Sequence, residues 1–160
     1  MDEAQPGILF DPLGEISSQY ISHQLASVPS HLWLSPAGLR SYHSDRGANF
    51  NESNTGLGAE YDLSPNAKLV VGRFENSVRH ESNYFGAALL GHLLDAFPEL
   101  KAGVMLGTIN GYPDMRHGGM FPMAAPMLTY EGKNFGLNFL GLPKVGNVSP
   151  VVAAQMKMRF

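Results

Sequence analysis

The chain has 160 residues, a formal net charge of −3 and no cysteine. That is the length of one domain, with enough residues to bury a core or enclose a small cavity. The mild negative charge gives no electrostatic case for nucleic acid, and the missing cysteines exclude a disulfide scaffold or a thiolate metal site. No apolar run reaches the ~20 residues a membrane helix needs, a test that a membrane barrel escapes because only every second residue faces lipid.

The start, Met1-Asp2-Glu3-Ala4-Gln5, has neither the basic nor the apolar region of a signal peptide. It fits a mature N-terminus from which a signal peptide has been removed. Asp11, Pro12 and Glu15 then form a helix-start pattern, with a cap, a first-turn proline and an acid at the positive end of the dipole. Leu13, Ile16, Tyr20, Ile21, Leu25 and Val28 follow helical spacing, and Pro29 ends the run. A short amphipathic helix is expected within an N-terminal segment, residues 1–31.

From Leu32 onward the pattern is that of strands. Eight are expected, at 36–44, 55–63, 67–76, 83–92, 100–109, 123–131, 134–142 and 150–160. Turn chemistry separates several of them, at Ser64-Pro65-Asn66, Phe97-Pro98-Glu99 and Glu131-Gly132-Lys133-Asn134. The last strand alternates strictly. Val152, Ala154, Met156, Met158 and Phe160 share one face, while Ala153, Gln155, Lys157 and Arg159 share the other. Apolar outside, polar inside and a terminal aromatic are the habit of membrane barrels, as are alternating short turns and longer loops. The fold class expected for residues 32–160 is therefore all-β: an eight-stranded antiparallel up-and-down membrane barrel. Such a barrel has no free edge and needs no partner, so a monomer is expected.

Strand parity places His43, Asn76 and Ser77 at the longer-loop end of the barrel. Pro36 opens the first strand, and Pro126 and Pro143 flank the sixth and seventh. Each lacks the N–H a ladder needs, and unpaired backbone beside Pro126 and Pro143 is expected to leave a lateral gap in the wall. His23, His31, His80, His92 and His117 show no ligand spacing, and no metal or other cofactor is expected. Gly56-Leu57-Gly58 lacks the strand-turn-helix context of a nucleotide loop and reads as barrel curvature.

Several runs together resemble one known family. They are Leu34-Ser35-Pro36-Ala37-Gly38-Leu39-Arg40-Ser41-Tyr42-His43, Phe50-Asn51-Glu52 followed by Gly56-Leu57-Gly58, and Phe74-Glu75-Asn76-Ser77. Later come Pro126, Pro143, Gly146-Asn147-Val148 and the ending Met158-Arg159-Phe160. In order and spacing these are similar to the lipid A palmitoyltransferases of Gram-negative outer membranes, over Leu32–Phe160.

The resemblance implies an outer-membrane acyltransferase. It would move a palmitoyl-type chain from the sn-1 position of a phospholipid to lipid A or a related lipid acceptor. It implies catalytic roles for His43, Asn76 and Ser77, and lipid entry beside Pro36 and beside Pro126 and Pro143. It also implies a small residue on the fourth strand, Gly86 or Ala88, as the floor that measures acyl length. The family's aspartate is here Asn76. An amide cannot supply a charge, so Asn76 is expected to orient His43 or to donate to an oxyanion. A second reading is a non-enzymatic barrel that binds lipid or serves as an envelope or virion component. A soluble lipocalin-like binder is a third, and it would need a polar outer face.

Overall fold

The computed structural model describes residues 31–160. The helix expected within the first 31 residues lies outside the described residues. Ten strand segments form one closed antiparallel sheet. They are β1 (Leu32–Ser35), β2 (Leu39–His43), β3 (Ser53–Asn54), β4 (Gly56–Ser64), β5 (Ala67–Glu75), β6 (Glu81–Leu94), β7 (Phe97–Ile109), β8 (Phe121–Glu131), β9 (Phe135–Leu142) and β10 (Val151–Arg159). The sheet order is β1-β4-β5-β6-β7-β8-β9-β10-β2-β3, and β1 pairs with β10 to close the ring. Since β1 with β2, and β3 with β4, make one stave each, this is an eight-stave up-and-down barrel.

Several strand bounds differ from those expected: the first stave starts at Leu32 rather than at Pro36, β6 runs Glu81–Leu94, β8 starts at Phe121, and two changes alter the wall. The first stave breaks at a turn after Ser35, and Gly38 (φ 72°) completes the break. A Cβ on Gly38 would fall 2.1 Å from the Asn54 carbonyl oxygen, so only glycine fits this bend. At the other end, Phe97 and Pro98 belong to β7 rather than to a turn. The β6–β7 connection is tighter than expected, with Leu94 paired to Phe97.

The period-two pattern sorts the side chains. In β10, Val151, Ala153, Gln155 and Lys157 are buried, while Val152, Met156 and Met158 are exposed. The outer wall exposes large apolar side chains, among them Leu57, Val71, Phe85, Leu106, Phe139 and Val152. Exposed aromatics collect at the lower, short-turn end, as Tyr61, Phe97, Tyr130, Phe135 and Phe160. An apolar band with an aromatic girdle is the surface that a bilayer solvates and water does not.

The lumen is filled in layers. Charges fill the lower end, where Lys157 Nζ lies 2.6 Å from Glu60 and 2.7 Å from Glu131. Glu131 also takes Lys68 at 2.5 Å and Lys101 at 3.1 Å, and Lys68 reaches Asp62. The fully buried Trp33 ring faces the ammonium of Lys157 at 5.0 Å and the guanidinium of Arg159 at 4.3 Å. Above this layer Val70, Ala88, Leu90, Met105, Ala125 and Met127 form an apolar one. Phe74, Ile109, Tyr112, Phe121 and Val148 form a second, nearer the long-loop end.

The wall is interrupted twice. The β8–β9 ladder stops at Met127↔Leu140, so Phe121–Pro126 has ladder partners only on β7. Pro126 supplies no N–H there, and Pro143 follows the end of β9 just across the break. The second interruption is on β10. Its upper residues pair with β2 and its lower ones with β1, leaving Gln155–Lys157 opposite the Pro36–Gly38 bend.

Candidate functional site

The long-loop end of the lumen holds a buried polar cluster. Leu39, Ser41 and His43 alternate inward along β2, which delivers the His43 imidazole to the lumen with no solvent exposure. Ser77 follows β5 and is also buried. The His43 Nε2 lies 2.7 Å from Ser77 Oγ, a contact between residues 34 positions apart. The sequence-expected His43 and Ser77 thus meet. The Phe50 ring packs on the imidazole at 4.5 Å between centroids, excluding water from one face.

The loops are tied so that this contact is held. The Asn51 amide N–H donates to the Ser77 carbonyl at 2.9 Å, and the Asn51 side chain donates to the Asn76 carbonyl at 3.3 Å. Arg79 reaches across to the Asn49 carbonyl at 3.1 Å. Beneath them, Ser41 Oγ donates to Asn54 Oδ1 at 2.6 Å.

Asn76 sits beside the pair but serves another purpose than the expected one. Its Oδ1 accepts the backbone N–H groups of Val78 and His80, both at 3.0 Å. Its Nδ2 donates to the Gly111 carbonyl at 2.7 Å and to Ser82 Oγ at 2.9 Å. Both ends of the amide are used, and two N–H donors on one side fix which end is oxygen. Asn76 therefore builds the turn that carries Ser77 and pins it to the loop after β7, rather than orienting His43 or facing an oxyanion. An aspartate could not donate to Gly111, which is the physical reason an amide suits this position.

The carboxylate nearest the imidazole is one that residue-type reasoning did not single out. Glu52 Oε1 lies 3.6 Å from His43 Nδ1, a charge-pair distance too long for a hydrogen bond. The same oxygen accepts the His43 backbone N–H at 3.1 Å and is held by the Arg46 guanidinium. The His43 amide first, and Arg46 next, keep the Glu52 carboxyl below the usual carboxylate range, against the opposing effect of burial. The only sequence signal for Glu52 was its place in the Phe50-Asn51-Glu52 run.

Below the cluster lies a narrow apolar cavity of about 50 Å³. Leu39, Phe74, Met105, Met123 and Leu140 wall it, and the polar side chains of Glu60, Asn138 and Gln155 close its lower end. Leu39 is on the strand of His43, and Phe74 is three residues before Ser77, so the cavity runs down from the polar pair. A smaller space of about 20 Å³ shares Ile109, Met123 and Leu142 with it and reaches Pro143. The lining shared by the two spaces lies on the side of the β8–β9 interruption. Tyr112 borders the smaller space, and burial pushes its hydroxyl up to about 12, so it stays neutral.

Gly86 and Ala88 face inward but do not wall the cavity. A Cβ on Gly86 would fall 2.2 Å from the Leu106 carbonyl oxygen, and one on the opposed Gly107 would fall 2.3 Å from that of Phe85. The pair lets β6 and β7 bend closely past each other. Ala88 is packed within the lower apolar layer. The lower limit of the cavity is instead the polar layer topped by Asn138 and Gln155.

No protein-family model matches this chain, and no curated protein matches it. A solved structure described as "De novo design of transmembrane beta-barrels" is similar, with a TM-score of 0.57. At 18% identity, the match covers 84% of this chain and 98% of that chain. The class is thus the closed antiparallel barrel of transmembrane type. The likeness is one of fold and carries nothing about the polar cluster.

Proposed function

We propose that this protein is an outer-membrane acyltransferase of the Gram-negative envelope. It takes a palmitoyl-type chain from the sn-1 position of a phospholipid and passes it to lipid A or a related lipid acceptor. The observation that carries the reading is the 2.7 Å contact of His43 Nε2 with Ser77 Oγ above an apolar cavity. The apolar outer wall supports residence in a bilayer, and the two interruptions beside prolines support lateral entry of lipid.

The chemistry follows from what each group can hold. The donor acyl chain enters along the apolar cavity, whose Leu39, Met105, Met123 and Leu140 side chains move aside to admit it, with its ester beside Ser77. Ser77 Oγ attacks the ester carbonyl as its proton passes to His43 Nε2. Collapse breaks the bond to the glycerol oxygen, which takes the proton from His43 and leaves as lysophospholipid. The acceptor hydroxyl then attacks the acyl-Ser77 ester. His43 takes that proton and returns it to Ser77 Oγ, so one ester is exchanged for another with no co-reactant.

The test is a transfer assay on refolded protein in detergent, with an sn-1-labelled phospholipid and lipid A. Mass gain on lipid A that falls by roughly 10³-fold or more in His43→Ala and in Ser77→Ala is the expected result. A folded barrel that transfers nothing to any lipid acceptor overturns the proposal in favour of lipid binding alone.

A further inference from the structure

We propose that Glu52 is the positioning carboxylate of a Ser77–His43–Glu52 relay, holding the proton of the imidazole on Nδ1 so that Nε2 faces Ser77 as a base. For its rate consequence this rests on the acyl-transfer reading, but its structural content does not.

The imidazole nitrogens have unequal surroundings. Nε2 has the Ser77 hydroxyl at 2.7 Å, which donates if Nε2 carries a lone pair and accepts if it carries a proton. Ser77 alone therefore leaves the tautomer open. Nδ1 is buried and makes no hydrogen bond, with Glu52 Oε1 at 3.6 Å as the acidic group facing it. A carboxylate can only accept, so closing that gap by a few tenths of an ångström requires a proton on Nδ1. The lone pair is then on Nε2, directed at Ser77.

Glu52 is placed for that movement. Its Oε1 is anchored to the backbone N–H of the same His43 whose ring it faces, so carboxylate and imidazole share one strand end. Arg46 grips this oxygen, and its guanidinium in turn lies 4.5 Å from the Tyr42 ring centroid. These contacts keep Glu52 ionised. When His43 takes the Ser77 proton, the imidazolium forms beside a negative charge. Asn76 cannot take this part, because all its polar capacity is spent on Val78, His80, Ser82 and Gly111.

The experiment uses the full chain, refolded in detergent, as wild type, Glu52→Gln and Glu52→Asp. Histidine 15N NMR, with His43 assigned through His43→Gln, reads the tautomer without substrate. The transfer assay reads kcat and KM, and heat-modifiable migration verifies the fold. In wild type, His43 is expected to be protonated on Nδ1. In Glu52→Gln the amide can donate as well as accept, so the preference is lost. There kcat falls roughly 10²–10⁴-fold with KM nearly unchanged. Glu52→Asp keeps the charge, retains the Nδ1 proton and recovers a large part of kcat.

A wild-type His43 protonated on Nε2, or a tautomer indifferent to Glu52→Gln, overturns the inference even if kcat falls. An unchanged kcat in a Glu52→Gln enzyme also overturns it. A barrel that catalyses nothing yet loses the Nδ1 preference in Glu52→Gln overturns the acyl-transfer reading and upholds Glu52 as the group that sets the imidazole.

Discussion

The two ends of the lumen solve the same problem in opposite ways. Both must satisfy polar groups away from water. The lower end does so with charge, matching Glu60, Asp62 and Glu131 against Lys68, Lys101 and Lys157 over Trp33. The upper end does so mostly with neutral groups, through Asn51, Asn54, Asn76 and Ser82, with the Glu52–Arg46 pair beside it, and spares one histidine and one serine for each other. Buried ions are expensive to desolvate and are held in one arrangement once paired. The lower layer therefore acts as a fixed stopper, and the upper one as a scaffold around the His43–Ser77 pair. The apolar cavity between them is open in length only as far as the stopper allows.

Removing Glu131 is the strongest way to break this contrast. Glu131→Ala leaves Lys68, Lys101 and Lys157 short of a shared anion in the interior and should cost roughly 3–5 kcal/mol of stability. The shift of the folded band in a urea series would measure it. Unchanged unfolding would show that water already reaches the lower layer.

Asn76→Asp sharpens the upper side. It keeps the acceptor for Val78 and His80 but turns a charge toward the Gly111 carbonyl and loses the donor to Ser82. A loss of roughly 1–3 kcal/mol is expected, and under the proposed acyl transfer no gain in rate. Faster transfer by the Asn76→Asp variant would mean that this position does act on His43.

The smallest effect tests the stopper as a ruler. Val70 borders the cavity beside the polar layer, so Val70→Phe fills that space and crowds its apolar neighbours. Overpacking should cost about 1–2 kcal/mol, and under the proposed acyl transfer the selected chain becomes shorter. Chain-length profiles of the transferred product would show it. A profile that does not move would put the measuring point elsewhere.

Much of the barrel is legible in the chain because strand geometry is local. The alternation in β10, and the turn residues before β5 and β9, belong to neighbours in sequence, and parity alone puts His43 and Ser77 at one end. What parity does not contain is which atoms touch. Asn76 has the right neighbours in sequence for a catalytic role, yet its amide is claimed by Gly111, 35 residues away. Glu52 reads as one more loop acid until the register of β2 against β10 and β3 turns His43 toward it. Gly86 reads as a small floor residue until its approach to the Leu106 carbonyl is seen.

By itself the sequence determined the strands, which face of each is apolar, and the end of the barrel at which the polar cluster gathers. A period of two follows from the backbone alone. Only the tertiary structure decided the break of the first stave at Gly38 and the partners of Asn76 and Glu52. It also decided the pairing of Lys157 with Glu60 across 97 residues. The reason is closure: one ring of ladders must share a single register, and that condition belongs to all eight staves together rather than to any stretch of the chain.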